Sequence, residues 1–285
     1  MKKGVVLIAT GSPYYGSWAI NLAISIKSTE PDTHITLLYS GNALQYISPY
    51  MHIFNNTKQI PDKYLMSNGF ESLLRPKVCL YDLSPYDETI FIDSDCIFFP
   101  GKKVSSLFED LKDVEFTMGN RSKNDLSTDP RLIWCSSEVL RARFGDINIL
   151  NLSSEFIYFK KTDNMKAFFK AAKKAFDFPD IEYNRFAGTV PDELAFQIAM
   201  IITGIEPHKT PYLLGYWEPY NKKNLNLSDL YKTDYYFYSI GGSILTSQMK
   251  LNYDTLAKVY AKGAGFKFPF LSKNKRDVIN NRTNI

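Results

Sequence analysis

The sequence predicts an α/β fold with a mostly parallel central sheet flanked by helices. Three observations carry this. Residues 5–9 and 35–39 are short apolar runs of strand length, and the stretch between them has helical periodicity, which makes a β-α-β opening. Residues 89–92, Thr-Ile-Phe-Ile, are apolar throughout, as strands buried on both faces of a parallel sheet are. Helical stretches opened by Pro76 and Pro191 place proline where a helix tolerates it, in the first turn.

Each element follows from local chemistry. After the strand at 5–9, Thr10-Gly-Ser-Pro-Tyr-Tyr-Gly16 is rich in turn formers and reads as a loop. Ser17 is placed to cap a helix over about 18–27, in which Ile20, Ala23, Ile24 and Lys27 recur at helical spacing. Pro31 and Asp32 end it before the strand at 35–39. A helix is expected over 42–50 and mostly loop over 55–69. Pro76 starts a helix through Leu83. The 89–92 strand follows, then a helix over 104–111 and a strand over 114–118. The polar stretch 120–130, with Arg121, Lys123, Asp125 and Asp129, reads as a mobile loop. Residues 155–159 form a strand. In 165–176, Met165, Phe168, Phe169, Ala172 and Phe176 mark a core face, and Lys166, Lys170, Lys173 and Lys174 a solvent face. The helix after Pro191 runs through Ile202 and stops at Gly204. Residues 235–240 read as a short aromatic strand turning at Gly241-Gly242, 256–262 as a helix, and the polar, basic tail as disordered at its end. With no repeat and no linker, residues 1–285 read as one domain.

Composition bounds the function class. The hydrophobic content of 45% and charged content of 22% are those of an ordinary globular protein. A net charge of +4 permits polyanionic partners without demanding them. Cys79, Cys96 and Cys135 are odd in number and scattered, so neither a disulfide framework nor a cysteine metal site is expected. A reducing cytoplasm fits. The apolar run at the N-terminus is too short for a signal peptide, and no segment reaches the length of a membrane span. The expectation is a soluble cytoplasmic protein.

Asp93, Ser94 and Asp95 interrupt the apolar sequence between Ile92 and Cys96. Carboxylates are almost never buried unless paired or bound to a metal. A hard divalent cation held with a diphosphate at the carboxyl end of the strand accounts for both acids. Strand alternation would put Asp93 and Asp95 on one side, with Ser94 between them. Ligands of open α/β sheets bind beyond the carboxyl ends of strands, and the first loop, with Ala9, Thr10 and Tyr15, lies in such a place. Arg75 and Lys77 stand at a helix start, where most charges are simply solvated. Glu155 begins an apolar strand, as a base or ligand for a hydroxyl or, equally, as a surface acid. Asp192 and Glu193 occupy a first helical turn, which favours acids whatever their function.

Asp93-Ser94-Asp95 after Ile90-Phe-Ile92 resembles the Asp-x-Asp motif of GT-A fold glycosyltransferases. The opening Leu7-Ile-Ala-Thr-Gly-Ser-Pro-Tyr-Tyr15 resembles the nucleotide-binding start of their family-eight-like members. The resemblance is clear over about 4–100 and patchy beyond. It implies a GT-A (Rossmann-like) single domain, with about 1–118 the nucleotide-sugar and metal half, about 119–270 the acceptor half and 271–285 a basic tail. It implies Mn2+ or Mg2+ on Asp93 and Asp95 and a nucleotide sugar, a UDP-sugar, as donor. Ala9, Thr10 and Tyr15 would meet base and ribose, with Ser94 also on the donor. Lys77 would meet the diphosphate, Asp192 and Glu193 the donor sugar, and Glu155, after the loose match Asn151-Leu-Ser-Ser154, the acceptor. Family-eight members also supply a histidine near the C-terminus as a third metal ligand. The matching stretch, Tyr236-Phe-Tyr-Ser-Ile-Gly-Gly242, has none, and the chain has only His34, His52 and His208.

The implied reaction is sugar transfer to an acceptor hydroxyl, with a retaining outcome favoured. The acceptor is a saccharide or glycan; the alternative is a hydroxymethylated pyrimidine base in DNA, as in phage-type enzymes, reached by flipping. A tail without a broad apolar face argues against a membrane-seated C-terminus. Two other classes stay open: a GT-A-like nucleotidyltransferase, disfavoured because residues 10–16 hold no basic residue, and a non-catalytic sugar-binding module.

Overall fold

The structure is a computed structural model and describes residues 1–45, 48–120, 134–150, 152–186, 188–208, 224–241 and 246–265. Along the chain, β1 (Lys3–Ala9) leads through α1 (Pro13–Thr29) to β2 (Ile35–Tyr39) and β3 (Asn56–Gln59). The hairpin β4 (Met66–Ser67) and β5 (Phe70–Glu71) precedes α2 (Arg75–Val78), α3 (Leu80–Leu83), β6 (Glu88–Ile92) and β7 (Cys96–Phe98). Then come α4 (Val104–Asp110), β8 (Phe116–Asn120), α5 (Ser137–Phe144), β9 (Leu152–Lys160), α6 (Asp163–Asp177), α7 (Asp192–Thr203), α8 (Leu227–Leu230), β10 (Phe237–Ser239) and α9 (Ser247–Gly263). One sheet has the order β3-β2-β1-β6-β9-β8. β1, β2 and β3 are parallel, with Val5 opposite Ile35 and Leu37 opposite Thr57, while β8 is antiparallel to β9. The predicted α/β class, with a mostly parallel sheet flanked by helices, is the observed one.

The chain divides into two compact units that interleave in sequence. The first comprises Met1–Lys3, Ile60–Ile90 and Val114–Pro211; the second comprises Gly4–Gln59, Phe91–Asp113 and Tyr212–Ile285.

In the second unit α1 is buried on all sides from Gly16 to Ile26, the pattern of a core helix. It begins four residues before Ser17. Ser12 is the cap, its Oγ accepting the Tyr14 N–H, and Pro13 is the first helical residue. Proline there loses only an N–H that has no helical partner, so a residue read as a turn former opens the helix instead. The helix expected over 42–50 is two 3-10 segments, Gly41–Leu44 and Ser48–Ile53. All four residues of β3 are exposed, which is why an edge strand passed for loop. β10 pairs antiparallel with β7, and α9, capped by Thr246, starts nine residues earlier than expected. Tyr260 of α9 donates to the Phe98 carbonyl at 2.8 Å.

In the first unit the expected face of α6 is the buried one, and its Phe168 ring stacks on Phe196 of α7 at 6.0 Å. α7 ends at Gly204, whose φ of 68° is the left-handed cap glycine permits. The helix expected over 76–83 breaks at Cys79 into α2 and α3. Within 55–69, read as loop, the chain also begins the β4–β5 hairpin, turned by Asn68 and Gly69, both at positive φ. β9 begins at Leu152, so Glu155 lies within the strand and does not start it. A bulge separates Met118 from Gly119, and a Cβ on Gly119 would stand 2.7 Å from the Ser153 carbonyl oxygen. Residues 121–133 and 266–285, with Arg121, Lys123, Arg131 and the basic tail, lie outside the described residues.

Candidate active site

β6 ends at Ile92, so Asp93-Ser94-Asp95 is a tight turn into β7, closed by the Cys96 N–H on the Asp93 carbonyl at 3.0 Å. The two acids are therefore brought together by a turn and not by strand alternation. Asp93 is half-buried; Ser94 and Asp95 are buried. Further bonds fasten the turn to its neighbours. Ser94 Oγ donates to the Ile8 carbonyl at 2.5 Å, which fastens it to the carboxyl end of β1. The Ile240 N–H donates to the Asp95 carbonyl at 3.1 Å, extending the β7–β10 pairing. The stretch matched to the family's histidine segment thus does reach Asp95, but it brings Ser239, Ile240 and Gly241.

The first loop lies in the same unit. Ala9 is fully buried, its carbonyl accepting the Ser40 N–H at 3.0 Å, and Thr10 is buried beside it. Tyr15 sits in the first turn of α1, edge-on to Trp18 with centroids 5.3 Å apart. Gly11 and Gly41, at φ 71° and 56°, let the loops after β1 and β2 close on each other; a Cβ on Gly41 would lie 3.5 Å from the Gly11 oxygen. Ala9, Thr10, Ser94 and both acids therefore gather at the carboxyl ends of strands in one unit.

Behind the acid turn is a polar layer with no periodic signature in the sequence. Asn252, Tyr253 and Tyr238 are fully buried, and Asn21 nearly so. Burial pushes the Tyr253 phenol well above its ordinary value; Asn21 opposes the shift, and the negative charge of Asp95 and Asp254 adds to it. Gln248 Nε2 donates to Asn252 Oδ1 at 2.8 Å.

A second constellation lies in the first unit, where β9 meets the start of α7. Lys77 Nζ is 3.2 Å from Asp192 Oδ2 and donates to Ser154 Oγ at 3.2 Å. The Glu193 carboxylate is held from both sides, by Trp134 Nε1 at 2.5 Å and by the Ser154 N–H at 3.4 Å. Asp192 and Glu193 open α7, whose preceding Pro191 provides no side-chain cap, so the acids complement the helix dipole. One turn on, Gln197 Oε1 accepts the Leu150 N–H at 2.8 Å. Sequence reasoning missed Trp134 and Gln197, single residues outside any motif. Glu155, expected on the acceptor side, stands apart from these acids. Alternation along β9 turns Glu155 to the face of Ser153, whose Oγ it accepts at 3.3 Å, and away from Ser154.

Among the described residues no group of three His, Cys, Asp or Glu side chains stands ready to hold a metal ion. His208 is exposed, its backbone bonded to Phe116 and Thr117 of β8.

No family model matches the sequence, and no curated protein matches it. Solved structures do. The chain resembles the apo structure of the bifunctional glycosyltransferase WbbM with a TM-score of 0.60 at 12% identity, over 99% of this chain and 52% of that one. It therefore spans about half of WbbM. It resembles the galactosyltransferase LgtC, in complex with donor and acceptor sugar analogues, with a TM-score of 0.57 at 12% identity, over 98% of this chain and 99% of that one. An active-site mutant of LgtC matches with the same figures. At such identity the likeness speaks for architecture: the chain has the GT-A-like fold of these glycosyltransferases.

Proposed function

We propose that the protein is a metal-dependent glycosyltransferase that moves a sugar from a nucleotide diphosphate, a UDP-sugar, to the hydroxyl of a saccharide. The observation that carries this reading is the Asp93-Ser94-Asp95 turn, fastened by Ser94 to the carboxyl end of β1 beside Ala9 and Thr10. Ligands of open α/β sheets bind there, and a half-buried and a buried carboxylate two residues apart, Asp93 and Asp95, make a site that suits a cation. Two hard oxygen donors fit Mn2+ or Mg2+, which take their remaining ligands readily from phosphate and water. When bound, the cation supplies Lewis-acid stabilisation of a leaving diphosphate.

The chain's own residues have separate tasks. Thr10 and Tyr15 flank the place for base and ribose. Asp192 and Glu193 are buried acceptors suited to the hydroxyls of a sugar, and each is already oriented, Asp192 by Lys77 and Glu193 by Trp134 and Ser154. Lys77 is engaged by Asp192 and Ser154, so its task in this reading is to hold Asp192, not to meet the diphosphate. Glu155 lines the acceptor side.

A thermal-shift screen of nucleotide sugars, with manganese and with EDTA, tests the reading. Stabilisation by UDP-sugars that needs the metal is expected, by RT ln(1 + [L]/Kd). Stabilisation by nucleoside triphosphates alone would replace it with nucleotidyl transfer.

A further inference from the structure

The first unit carries a surface that sugar transfer does not use. Lys166, Lys170 and Lys174 recur every fourth residue of α6, and all three are exposed. That spacing makes a single stripe along the helix. Phe178, at the C-cap where the chain leaves the helix, follows the last turn of the stripe and is 67% exposed. Lys173, off the stripe, is paired with Asp82 at 2.5 Å.

The β4–β5 hairpin is clamped to the same end of α6. Ser67 Oγ donates to Asp177 Oδ1 at 2.8 Å, and Asn68 Nδ2 donates to the Asp177 carbonyl at 2.5 Å. Arg75 grips the Asp177 carboxylate through Nε and Nη2, both at 2.9 Å. Ser67 and Phe70 are direct cross-strand partners, so their side chains share one face of the hairpin. Since Ser67 reaches Asp177, that face is the one turned toward the end of α6. Phe70 is nevertheless 76% exposed. Single exposed apolar residues are ordinary. Phe70 on the clamped hairpin and Phe178 at the C-cap of α6 are both presented to water beside the residues that hold Asp177, at the end of a lysine stripe, and form an organised surface.

We propose that this surface docks the protein on an anionic membrane, with the lysines along the headgroup phosphates and Phe70 and Phe178 entering the interface. From Lys166 to Phe178 the stripe is about 18 Å long at 1.5 Å per residue. Its charge suits any polyanion; the placement of the rings selects among them. Single-stranded nucleic acid needs aromatic residues interleaved with the cations so that successive bases stack. Here both rings lie together at one end, as a surface does that pairs an electrostatic contact with a local apolar wedge. Two weak signals of this kind together give the reversible attachment that neither gives alone.

Vesicle flotation of the full chain tests the proposal. The protein should float with vesicles of phosphatidylcholine and phosphatidylglycerol at low salt, should be released by high salt, and should not float with phosphatidylcholine alone. Lys166→Glu, Lys170→Glu and Lys174→Glu combined should lower partitioning at least about 100-fold. Reversing three exposed lysines of the second unit, Lys58, Lys232 and Lys258, makes the same change in net charge and should cost far less. Phe70→Ser with Phe178→Ser should lower partitioning about tenfold. All these positions are exposed, and thermal unfolding checks that the variants are folded. No flotation at low salt, equal losses from the two lysine triples, an unaffected phenylalanine variant, or tighter retention of DNA than of vesicles through the same lysines would each overturn it.

Discussion

Lys77 and Asp192 face each other at 3.2 Å with side chains only 12% and 7% exposed. The approach is close, yet Asp192 Oδ2 accepts no aligned hydrogen bond, so the pair is held by charge more than by direction. Breaking a buried pair from one side strands the other charge and costs about 3–5 kcal/mol. Lys77→Met should therefore lower unfolding stability by about 3 kcal/mol. Asp192→Asn in that background should restore most of it, because the amide needs no counter-ion. Urea titrations of the single and double variants measure both; an additive double loss would show that the two residues do not act as a pair.

Asp93→Asn and Asp95→Asn should each lower sugar transfer by roughly three orders of magnitude, the worth of several kcal/mol of charge stabilisation. The fold should survive, because Asn keeps the shape of the side chain and the Ser94 Oγ and backbone bonds still fasten the turn. Transfer is followed by mass spectrometry of the acceptor across a panel of saccharides and hydroxymethylated DNA. Full activity in EDTA, or in either variant, would end the metal-dependent reading.

Trp134→Phe keeps the ring and its edge contact with Phe186 but removes the donor to Glu193 Oε2. The Ser154 N–H, at 3.4 Å, is a weak second anchor. A lost hydrogen bond to a charged group is worth about 1.5–3 kcal/mol, so turnover should fall about tenfold or more, with a smaller change in donor KM. If kcat is unchanged, Glu193 does not depend on Trp134 for its orientation.

Gly119→Ala should destabilise by about 1–3 kcal/mol, because the methyl would meet the Ser153 carbonyl, a backbone atom that cannot swing aside. A melting temperature equal to that of the parent chain would mean that the β8–β9 bulge shifts freely.

What could be read from the sequence divides along physical lines. The buried strands and the amphipathic α6 announced themselves, because burial on one or two faces writes a period into the residues. The edge strand β3 is exposed at every position, so it wrote none. The start of α1 was misplaced because Pro13 serves equally as turn former and first helical residue. At the site, Asp93 and Asp95 stand out as charges inside an apolar run, whereas Trp134 and Tyr253 look like any other core or loop residues until the fold brings them to an acid. Glu155 reads as a strand start because nothing in the sequence marks Leu152, three residues earlier, as the first residue of β9, and strand parity then decides which face Glu155 joins.

The last expectation concerns alkaline pH. Burial raises the Tyr238 phenol to about 12, with Asn252 opposing the shift, and also raises Tyr253 well above its ordinary value. Tyr236, which donates to Asp110 Oδ2 at 3.0 Å, also rises to about 12, through burial first and that bond second. In the unfolded chain a phenol ionises near about 10. Below that pH both states hold these protons and stability does not depend on them. Above it the unfolded chain releases protons that the native state keeps, so stability is complete below about pH 10 and falls as pH rises toward 12. Each fully buried phenol contributes a slope of about 1.4 kcal/mol per pH unit. Tyrosinate absorbance should therefore show exposed tyrosines ionising without loss of structure and the buried ones ionising only as circular dichroism reports unfolding. If all the tyrosines titrate together near 10 while the fold persists, the polar layer behind Asp95 is open to water.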